Sequence, residues 1–176
     1  MEGEFWRDQV LNDLMPYWYT YGWDKEQSAF YLNLSREWEL MPPYDKMPPM
    51  ISRQIFSFST AYLLSGEEKY LEVARQAVNY LLTYGWDQQY GGWFGNLSPD
   101  GEPKETSKPA ASQLYTNVGL VQYYFVAGDK RALSFVMKSI EIQKKYTHDD
   151  VFDGYYISLN RDLSVSDSSK AKHSHY

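Results

Sequence analysis

The feature that most constrains the fold of this chain is an internal repeat. The tetrapeptide Tyr-Gly-Trp-Asp begins at Tyr21 and again at Tyr84, an offset of 63. The segment Asn33-Leu34-Ser35 recurs at this offset as Asn96-Leu97-Ser98. In a third, weaker copy, Gly154-Tyr155-Tyr156 aligns with Gly92-Trp93-Phe94 at an offset of 62. Chance similarity among aromatic-rich turns is the alternative, but three ordered copies at nearly one spacing favour a repeat architecture.

Between the copies, apolar residues recur at helical spacing, which predicts pairs of helices. Gly66 and Gly128 each separate the two helices of a pair, as glycine commonly ends a helix. Pro16 interrupts an earlier helix and is expected to kink it. The predicted helices are Glu4 to Tyr21, Ile51 to Leu64, Glu67 to Leu82, Leu114 to Ala127 and Lys130 to Lys145.

The long loop after each helix pair has its own pattern. Trp93 to Leu97, followed by the turn signal Pro99-Asp100-Gly101, predicts a small β-hairpin. Stacked helical hairpins form either an open superhelix or a closed α/α toroid. We therefore expect an all-α fold, a single α/α-toroid domain over residues 1–176 with short β-hairpins in its long loops.

Composition excludes several function classes. The chain has no cysteine, which removes disulfides, Cys-ligated metals and thiol nucleophiles. A net charge of −6 without a Lys/Arg cluster argues against a nucleic-acid partner. No apolar run reaches the length of a membrane span, and the N-terminus lacks a signal-peptide pattern, so a cytoplasmic protein is expected. The sequence also lacks a phosphate-binding glycine loop, a Gly-x-Ser-x-Gly elbow and a His-Glu-x-x-His motif.

Candidate site residues follow from the toroid geometry, because the first turns of the inner helices face the central pocket. Aligning the repeats on Gly66 and Gly128 places Arg53 beside Tyr115, and His175 falls near the same position in the third repeat. The other polar side chains at these helix starts include Ser52, Gln54, Ser112, Gln113, Thr116, Asn117, Lys170, Lys172 and His173. Such recurrence at one structural position predicts a binding site.

Each candidate also has an alternative interpretation. Arg53 is also consistent with pairing to a carboxylate, and His173 and His175 with solvated residues near a chain end. His148, next to Asp149-Asp150, is interpreted as a surface residue. The tryptophans of the loops serve either as hairpin core or as stacking platforms for sugar rings; they are Trp23, Trp86 and Trp93. The 18% aromatic content falls heavily in these loops and on the helices beside them, as expected for hairpins around a sugar pocket.

Taken together, these features resemble the N-acylglucosamine 2-epimerase family, which includes cellobiose 2-epimerases and mannose isomerases. The middle of the chain carries the closest likeness, in Asp87 to Phe94 with Pro99-Asp100-Gly101. Ser52 to Phe56 resembles the family's Arg-containing inner helix, and Thr106-Ser107-Lys108 its lysine before the next one. Lys170 to His175 resembles the segment that carries its His-x-His or Asn-x-x-x-His motif.

The resemblance implies an (α/α)6 barrel of twelve helices, of which this chain supplies five and the beginning of a sixth. The family's two acid/base histidines lie in the later half, so the chain resembles the N-terminal half of a member. Ala110-Ala111 stands where the family usually has a tyrosine, and Ala171 where it often has an asparagine. These departures leave the activity of the chain open.

The resemblance further implies C2 epimerisation or aldose–ketose isomerisation of a mono- or disaccharide through an enediolate, without a metal or organic cofactor. Arg53 would stabilise the enediolate oxygen, and His175 would hold substrate or assist proton transfer. The expected sugar-binding residues are His173, Tyr115, Asn117, Gln113, Lys108 and Trp93. Acylated hexosamine, mannose and a disaccharide are all compatible substrates.

Two functions from other classes remain open on the sequence. The first is a non-catalytic carbohydrate-binding or self-assembling module, because half a toroid exposes apolar helix faces through which two copies would close a ring. The second is a glycoside hydrolase or lyase on the same toroid. The neighbouring carboxylates of Asp149 and Asp150 point in different directions, so they do not form the acid/base pair that such an enzyme needs.

Overall fold

The computed structural model describes residues 2–166, and these residues form an assembly of helical hairpins. The helices are α1 (Glu2–Asp8), α2 (Met15–Tyr17), α3 (Pro48–Ser65), α4 (Glu68–Tyr80), α5 (Ala110–Ala127) and α6 (Lys130–Ile142). Short π-helical turns continue four of them, at Gln9–Leu14, Trp18–Gly22, Leu81–Gly85 and Gln143–Thr147. The strands are β1 (Trp23–Asp24), β2 (Ala29–Phe30), β3 (Asn96–Leu97), β4 (Pro103–Glu105), β5 (Lys108–Pro109) and β6 (Ser158–Leu159).

The predicted helices are confirmed, with differences at their ends. α3 and α5 end as predicted, because Gly66 and Gly128 adopt the left-handed conformation (φ +72° and +69°) that glycine tolerates. α3 begins earlier than predicted, since Pro48 and Pro49 occupy its first turn, where no N–H is needed. At Pro16 the helical path continues, and the interruption takes the form of the π-helical turn before it.

The inner layer consists of α3 and α5, which lie side by side and parallel. The Arg53 guanidinium lies 5.1 Å from the ring centroid of Tyr115, and Gln122 Nε2 donates to Thr60 Oγ1 at 3.3 Å. Both pairs are separated by 62 positions, so the sequence repeat is also the spatial register between the two helices. α4 packs against α3, and α6 packs against α5, as an outer layer. The architecture is that of part of an α/α toroid.

The two inner helices lie in close backbone contact at Gly119. Its N–H donates to Ser52 Oγ at 2.8 Å, and a Cβ at this position would lie 2.0 Å from the Ser52 carbonyl oxygen. Backbone oxygen atoms cannot yield as a flexible side chain would. The spacing between α3 and α5 therefore depends on the absence of a side chain at Gly119.

All three predicted loop repeats are present and are built alike. Antiparallel ladder pairs join residues seven apart, with ring centroids 4.9 Å apart for Trp23/Phe30, 4.8 Å for Trp86/Trp93 and 5.1 Å for His148/Tyr155. The three tryptophans belong to the buried core, as the hairpin-core interpretation predicted. The β-hairpin predicted around Pro99-Asp100-Gly101 is formed by β3 and β4.

Neighbouring repeats are also joined by strand pairing. The backbone of Lys46 exchanges two hydrogen bonds of 2.9 Å with Leu97, and Lys108 pairs with Leu159 at the equivalent place one repeat later. Each inner helix therefore starts just after a lysine whose backbone the following loop holds in position.

Replacing Gly119 by alanine is expected to lower the free energy of unfolding by about 1–3 kcal/mol or more, because the added methyl group forces α3 and α5 apart. Urea unfolding followed by circular dichroism measures the change. The matched control is Gly3→Ala, since a Cβ at Gly3 meets nothing within 4 Å. That control should be neutral or stabilising by up to about 1 kcal/mol, and equal losses in both variants would contradict the close-approach argument.

Candidate functional site

An exposed groove of about 360 Å³ runs along the inner helices. It is lined by Arg53, Phe56 and Ser57 of α3 and by Tyr115 and Val118 of α5. The alignment of the repeats on their glycine stops is thereby confirmed for Arg53 and Tyr115, which the fold brings together. The groove combines one cation with aromatic and aliphatic surface.

Arg53 is available to bind an anion. Its side chain is exposed, its guanidinium lies over the face of Tyr115, and Nη1 approaches Met50 Sδ at 3.5 Å. Within residues 2–166 no carboxylate lies within ion-pair distance of Arg53, so the predicted alternative of carboxylate pairing is not observed there. A guanidinium presents several N–H donors in a plane, which suits a developing oxyanion.

Behind the groove, two amide side chains of α5 hold the second loop. Gln113 makes two hydrogen bonds of 2.7 Å with the backbone of Trp93, donating through Nε2 and accepting at Oε1. Trp93 Nε1 donates to Asn117 Oδ1 at 3.0 Å, and Asn117 Nδ2 donates to Ser139 Oγ at 3.1 Å. Since each of these polar groups has a partner, the network fixes the loop against the inner helix.

Lys108 lies in the same buried layer, paired with Asp87. Its Nζ donates to Asp87 Oδ2 at 3.1 Å, and Arg161 Nε donates to the same oxygen at 3.0 Å. Burial lowers the pKa of the Lys108 ammonium, an effect that Asp87 opposes only in part. Burial alone would raise the pKa of Asp87, but the hydrogen bonds from Arg161 and Lys108 hold it below its usual value.

This ion pair is itself repeated, which the sequence reasoning missed. Lys46 Nζ donates to Asp24 Oδ2 at 2.6 Å, and both side chains are buried. The signal was present in the sequence: each Tyr-Gly-Trp-Asp motif ends in the aspartate, and a lysine follows it, Lys46 after Asp24 and Lys108 after Asp87, at nearly the same separation.

The second oxygen of each aspartate closes the loop turn. Asp87 Oδ1 accepts from the backbone N–H groups of Gln89 and Tyr90, at 3.0 and 3.3 Å. Asp24 Oδ1 and Asp149 Oδ1 accept in the same way from the second and third residues after them. One carboxylate therefore shapes the turn and, in the first two repeats, also holds the lysine before the next inner helix.

The predicted site residues divide into two groups. Arg53 and Tyr115 line the exposed groove, whereas the other four described candidates are buried behind it: Lys108, Trp93, Gln113 and Asn117. Direct sugar contact by these four stays a prediction from the sequence. His173 and His175 lie outside the described residues.

His148 occupies in the third loop the position that Trp86 has in the second. Its ring Nδ1 lies 2.7 Å from Asp150, and Nε2 lies 3.3 Å from Asp153. The hydrogen bond with Asp150 raises the pKa of this histidine above its ordinary value. With its side chain one-third exposed, it lies at the surface, as expected.

Comparison with known proteins identifies the family. The sequence model of the N-acylglucosamine 2-epimerase (GlcNAc 2-epimerase) family matches residues 9–120. This chain belongs to the N-acylglucosamine 2-epimerase family. The predicted resemblance is therefore confirmed by a match that covers α3, α4 and the beginning of α5, including the groove.

Relatives of known name agree with this assignment. The chain is 31% identical over 172 residues to a cellobiose 2-epimerase of Bacteroides fragilis, covering 93% of this chain and 44% of that protein. The structure of cellobiose 2-epimerase from Spirochaeta thermophila superimposes with a TM-score of 0.85 at 25% identity, over 92% of this chain and 40% of that one. The chain thus spans less than half the length of these epimerases.

The fold alone is shared more widely. A family 76 glycoside hydrolase from a bovine Bacteroides thetaiotaomicron strain matches with a TM-score of 0.68 at 20% identity, over 90% of this chain and 32% of that one. At this identity the likeness concerns the α/α architecture and carries no information about activity.

Among residues 2–166, none of the helices combines the length and the hydropathy that a membrane-spanning helix requires. Residues 2–166 likewise contain no group of three or more His, Asp or Glu side chains arranged to hold a metal ion.

Replacing Lys108 by methionine is expected to lower the free energy of unfolding by about 3–5 kcal/mol, because it leaves the buried Asp87 carboxylate without its lysine partner. The control is Lys104→Met, which breaks the ion pair of Lys104 with Asp45 where the lysine is more than half exposed. That change should cost under about 1 kcal/mol. Similar losses in the two variants, measured by urea unfolding, would contradict the structural role of Lys108.

Acid should weaken the fold partly through Asp87. Because its folded pKa is depressed, its contribution is fully present above its unfolded pKa near 3.8 and is lost as pH falls through the lower folded pKa. The drop in urea midpoint between about pH 5 and pH 2 should be smaller in Asp87→Asn than in the unmodified chain. An equal drop in both proteins would remove Asp87 as a cause.

Proposed function

We propose that this chain acts in the C2 epimerisation or aldose–ketose isomerisation of a sugar, with Arg53 as the group that stabilises the enediolate. The observation that carries the proposal is the exposed Arg53 guanidinium on the inner face, set over Tyr115 and paired with no carboxylate within residues 2–166. Membership in an epimerase family supports the reaction class.

The reaction requires only proton transfer beside an open-chain carbonyl. A base removes the proton from C2, the C–H electrons form the C1–C2 double bond, and the carbonyl oxygen becomes an enediolate oxygen. Return of a proton to C2 from the opposite face restores the C1 carbonyl and gives the epimer. Protonation at C1, with transfer of the C2 hydroxyl proton to the C1 oxygen, forms the C2 carbonyl and gives the ketose. A cation held at the developing oxyanion lowers the barrier, because this interaction is stronger in the transition state than in the ground state.

The groove suits this role for Arg53. Tyr115 packs against one face of the guanidinium, and no carboxylate within residues 2–166 neutralises its charge. Phe56 and Val118 give the groove an apolar wall, against which the non-polar face of a sugar ring packs. The groove thereby combines an oxyanion partner with a surface for the ring.

A histidine that assists the proton transfer is proposed from the sequence alone. Histidine has a pKa near neutrality and suits proton transfer at C2. His175 is our candidate for holding substrate or assisting that transfer, with His173 as a binding residue. Both belong to the segment outside the described residues.

The buried layer is proposed to position the groove. Gln113 and Asn117 fasten Trp93 to α5, the same helix that presents Tyr115. Lys108 anchors the start of that helix to Asp87. Loss of these contacts is expected to shift Tyr115 and to weaken sugar binding indirectly.

Because relatives of this chain are cellobiose 2-epimerases, a β-linked disaccharide is the first substrate to test.

The test is incubation of the chain with cellobiose, mannose or N-acetylmannosamine in D₂O, followed by NMR for the C2 epimer, the ketose and deuterium at C2. Arg53→Ala is expected to lower turnover by about 10²–10³-fold, and Arg53→Lys less. The control is Arg75→Ala on α4, which removes an arginine paired with Glu72 and should leave turnover unchanged.

Titration of sugar binding separates this proposal from a binding module. Binding that depends on Arg53 but brings no deuterium into C2 would favour the non-catalytic carbohydrate-binding function. Turnover unaffected by Arg53→Ala would remove the proposed role of the arginine.

A further inference from the structure

The tip of the second loop and helix α6 enclose an open pocket of about 420 Å³, which we call the second-loop pocket. The loop contributes residues 86–91 to its lining. The rest of the lining belongs to α6 and the turn after it: Lys138, Glu141, Ile142, Lys145 and Tyr146. Small-molecule pockets have volumes of about 300–1,000 Å³. None of these residues lines the groove of Arg53 and Tyr115, so a ligand here occupies a second place on the molecule.

The same pocket occurs one repeat earlier. A cavity of about 340 Å³, the first-loop pocket, lies between the tip of the first loop and α4. Its residues from α4 and the turn after it each precede their counterparts in the second-loop pocket by 62 positions: Gln76, Asn79, Tyr80, Thr83 and Tyr84. The following outer helix touches the rim of this earlier pocket, since Arg131 Nη2 donates to Asn79 Oδ1 at 3.2 Å, and it leaves the pocket open. The pocket is therefore a feature of the repeat that a following outer helix does not close.

The two pockets differ in chemistry. Lys138 and Lys145 stand where the first-loop pocket has Gln76 and Thr83. At the loop tip, a tyrosine at position 90 stands where the first loop has a glutamine at position 27. The repeat gives both pockets their shape, whereas these differences give the second-loop pocket two cations and an additional aromatic ring.

Both lysines of the second-loop pocket are available to a ligand. The Lys138 ammonium lies 4.9 Å from the ring centroid of Phe135, and the Lys145 ammonium lies 5.0 Å from that of Tyr146. Both side chains are exposed. Within residues 2–166, neither ammonium lies within ion-pair distance of a carboxylate. Their charge is thus not used by the part of the fold that the structure describes.

The carboxylates of the pocket leave one positive charge in excess. Glu141 follows Lys138 by three positions and precedes Lys145 by four, a spacing that places the three side chains on one side of a helix. Asp87 also lines the pocket, but it is buried and already paired with Lys108 and Arg161. Two lysines and one glutamate therefore set the charge of the pocket, which a ligand with a single carboxylate balances.

The other groups of the pocket suit a sugar ring. Tyr90 is 40% exposed, and Arg161 holds its ring from a distance of 5.8 Å. An exposed aromatic ring packs against the apolar face of a sugar. The Glu141 carboxylate and the exposed Gln89 amide accept hydrogen bonds from hydroxyl groups. A small inorganic anion has no use for the ring and is repelled by Glu141.

We propose that the second-loop pocket binds a saccharide that carries one carboxylate, such as a uronic acid. The carboxylate pairs with the ammonium groups of Lys138 and Lys145, hydroxyl groups donate to Glu141, and the ring packs on Tyr90. This inference goes beyond the proposed epimerisation or isomerisation. It does not involve Arg53, so it holds or fails whether or not the chain turns over a sugar.

An NMR titration of the ¹⁵N-labelled full chain with methyl β-D-glucuronide tests the proposal. This glycoside does not open to a carbonyl, so it binds without reaction. The reporter is the indole N–H of Trp86, a residue of the pocket lining, whose signal is assigned through its absence in Trp86→Phe. A saturable shift of this signal is expected, with an affinity that falls at least tenfold in Lys138→Met/Lys145→Met.

Two control variants locate the ligand. Lys130→Met removes an exposed lysine of α6 outside the pocket and should leave the affinity unchanged. Arg53→Ala should also leave it unchanged. Binding that is lost in Arg53→Ala and kept in the double lysine variant would place the ligand in the groove and overturn the proposal. Circular dichroism verifies that each variant keeps its helices.

Two further ligands test the chemical class. Methyl β-D-glucoside lacks the carboxylate, and inorganic phosphate lacks the ring, so each should bind at least tenfold more weakly than the glucuronide. Equal affinity for the glucoside would contradict the role of the lysines, and equal affinity for phosphate would make the pocket a general anion site. Either result, or the absence of a saturable shift with the glucuronide, overturns the proposal.

Discussion

The buried pairing of a lysine with the last residue of the Tyr-Gly-Trp-Asp motif is the interaction on which the rest of the structure depends. Asp87 ties together its own loop turn, the lysine that precedes α5 and, through Arg161, the third loop. Asp24 does the same for its turn and for Lys46 before α3. Removing a charged pair from water is costly, and the cost is met only when every partner is in place. The pair therefore fixes where each inner helix begins.

From these starting points the inner helices acquire a fixed register. α3 and α5 run parallel at an offset of 62, with Gly119 allowing the backbone of Ser52 to approach. This register places Arg53 beside Tyr115 at the mouth of the inner face. The groove thus depends on two features that lie outside it. One is the pairing of Lys46 and Lys108 with the loop aspartates, and the other is the close contact of α3 with α5 at Gly119.

The cationic residues of the repeats differ in burial and pairing, and they therefore have different roles. Lys46 and Lys108 are buried cations with carboxylate partners, and their charge is used in holding loops. Arg53 is an exposed cation over an aromatic ring, and its charge is open to a ligand. A cation already neutralised by a buried carboxylate cannot stabilise a new oxyanion well, which is why the proposed chemistry rests on Arg53.

The sequence by itself determined the repeat, the helix pairs, their glycine ends and the register of Arg53 with Tyr115, because apolar periodicity and turn residues act locally and recur at one spacing. It also determined the family. Only the tertiary structure decided that Trp93, Gln113, Asn117 and Lys108 lie behind the groove. Burial and pairing depend on which distant segments cover a side chain. Lys108 is neutralised by Asp87 of the preceding loop turn, and its backbone is held by Leu159, which follows α6. No local pattern distinguishes such a lysine from one that faces a ligand, because desolvation is a property of the packed fold.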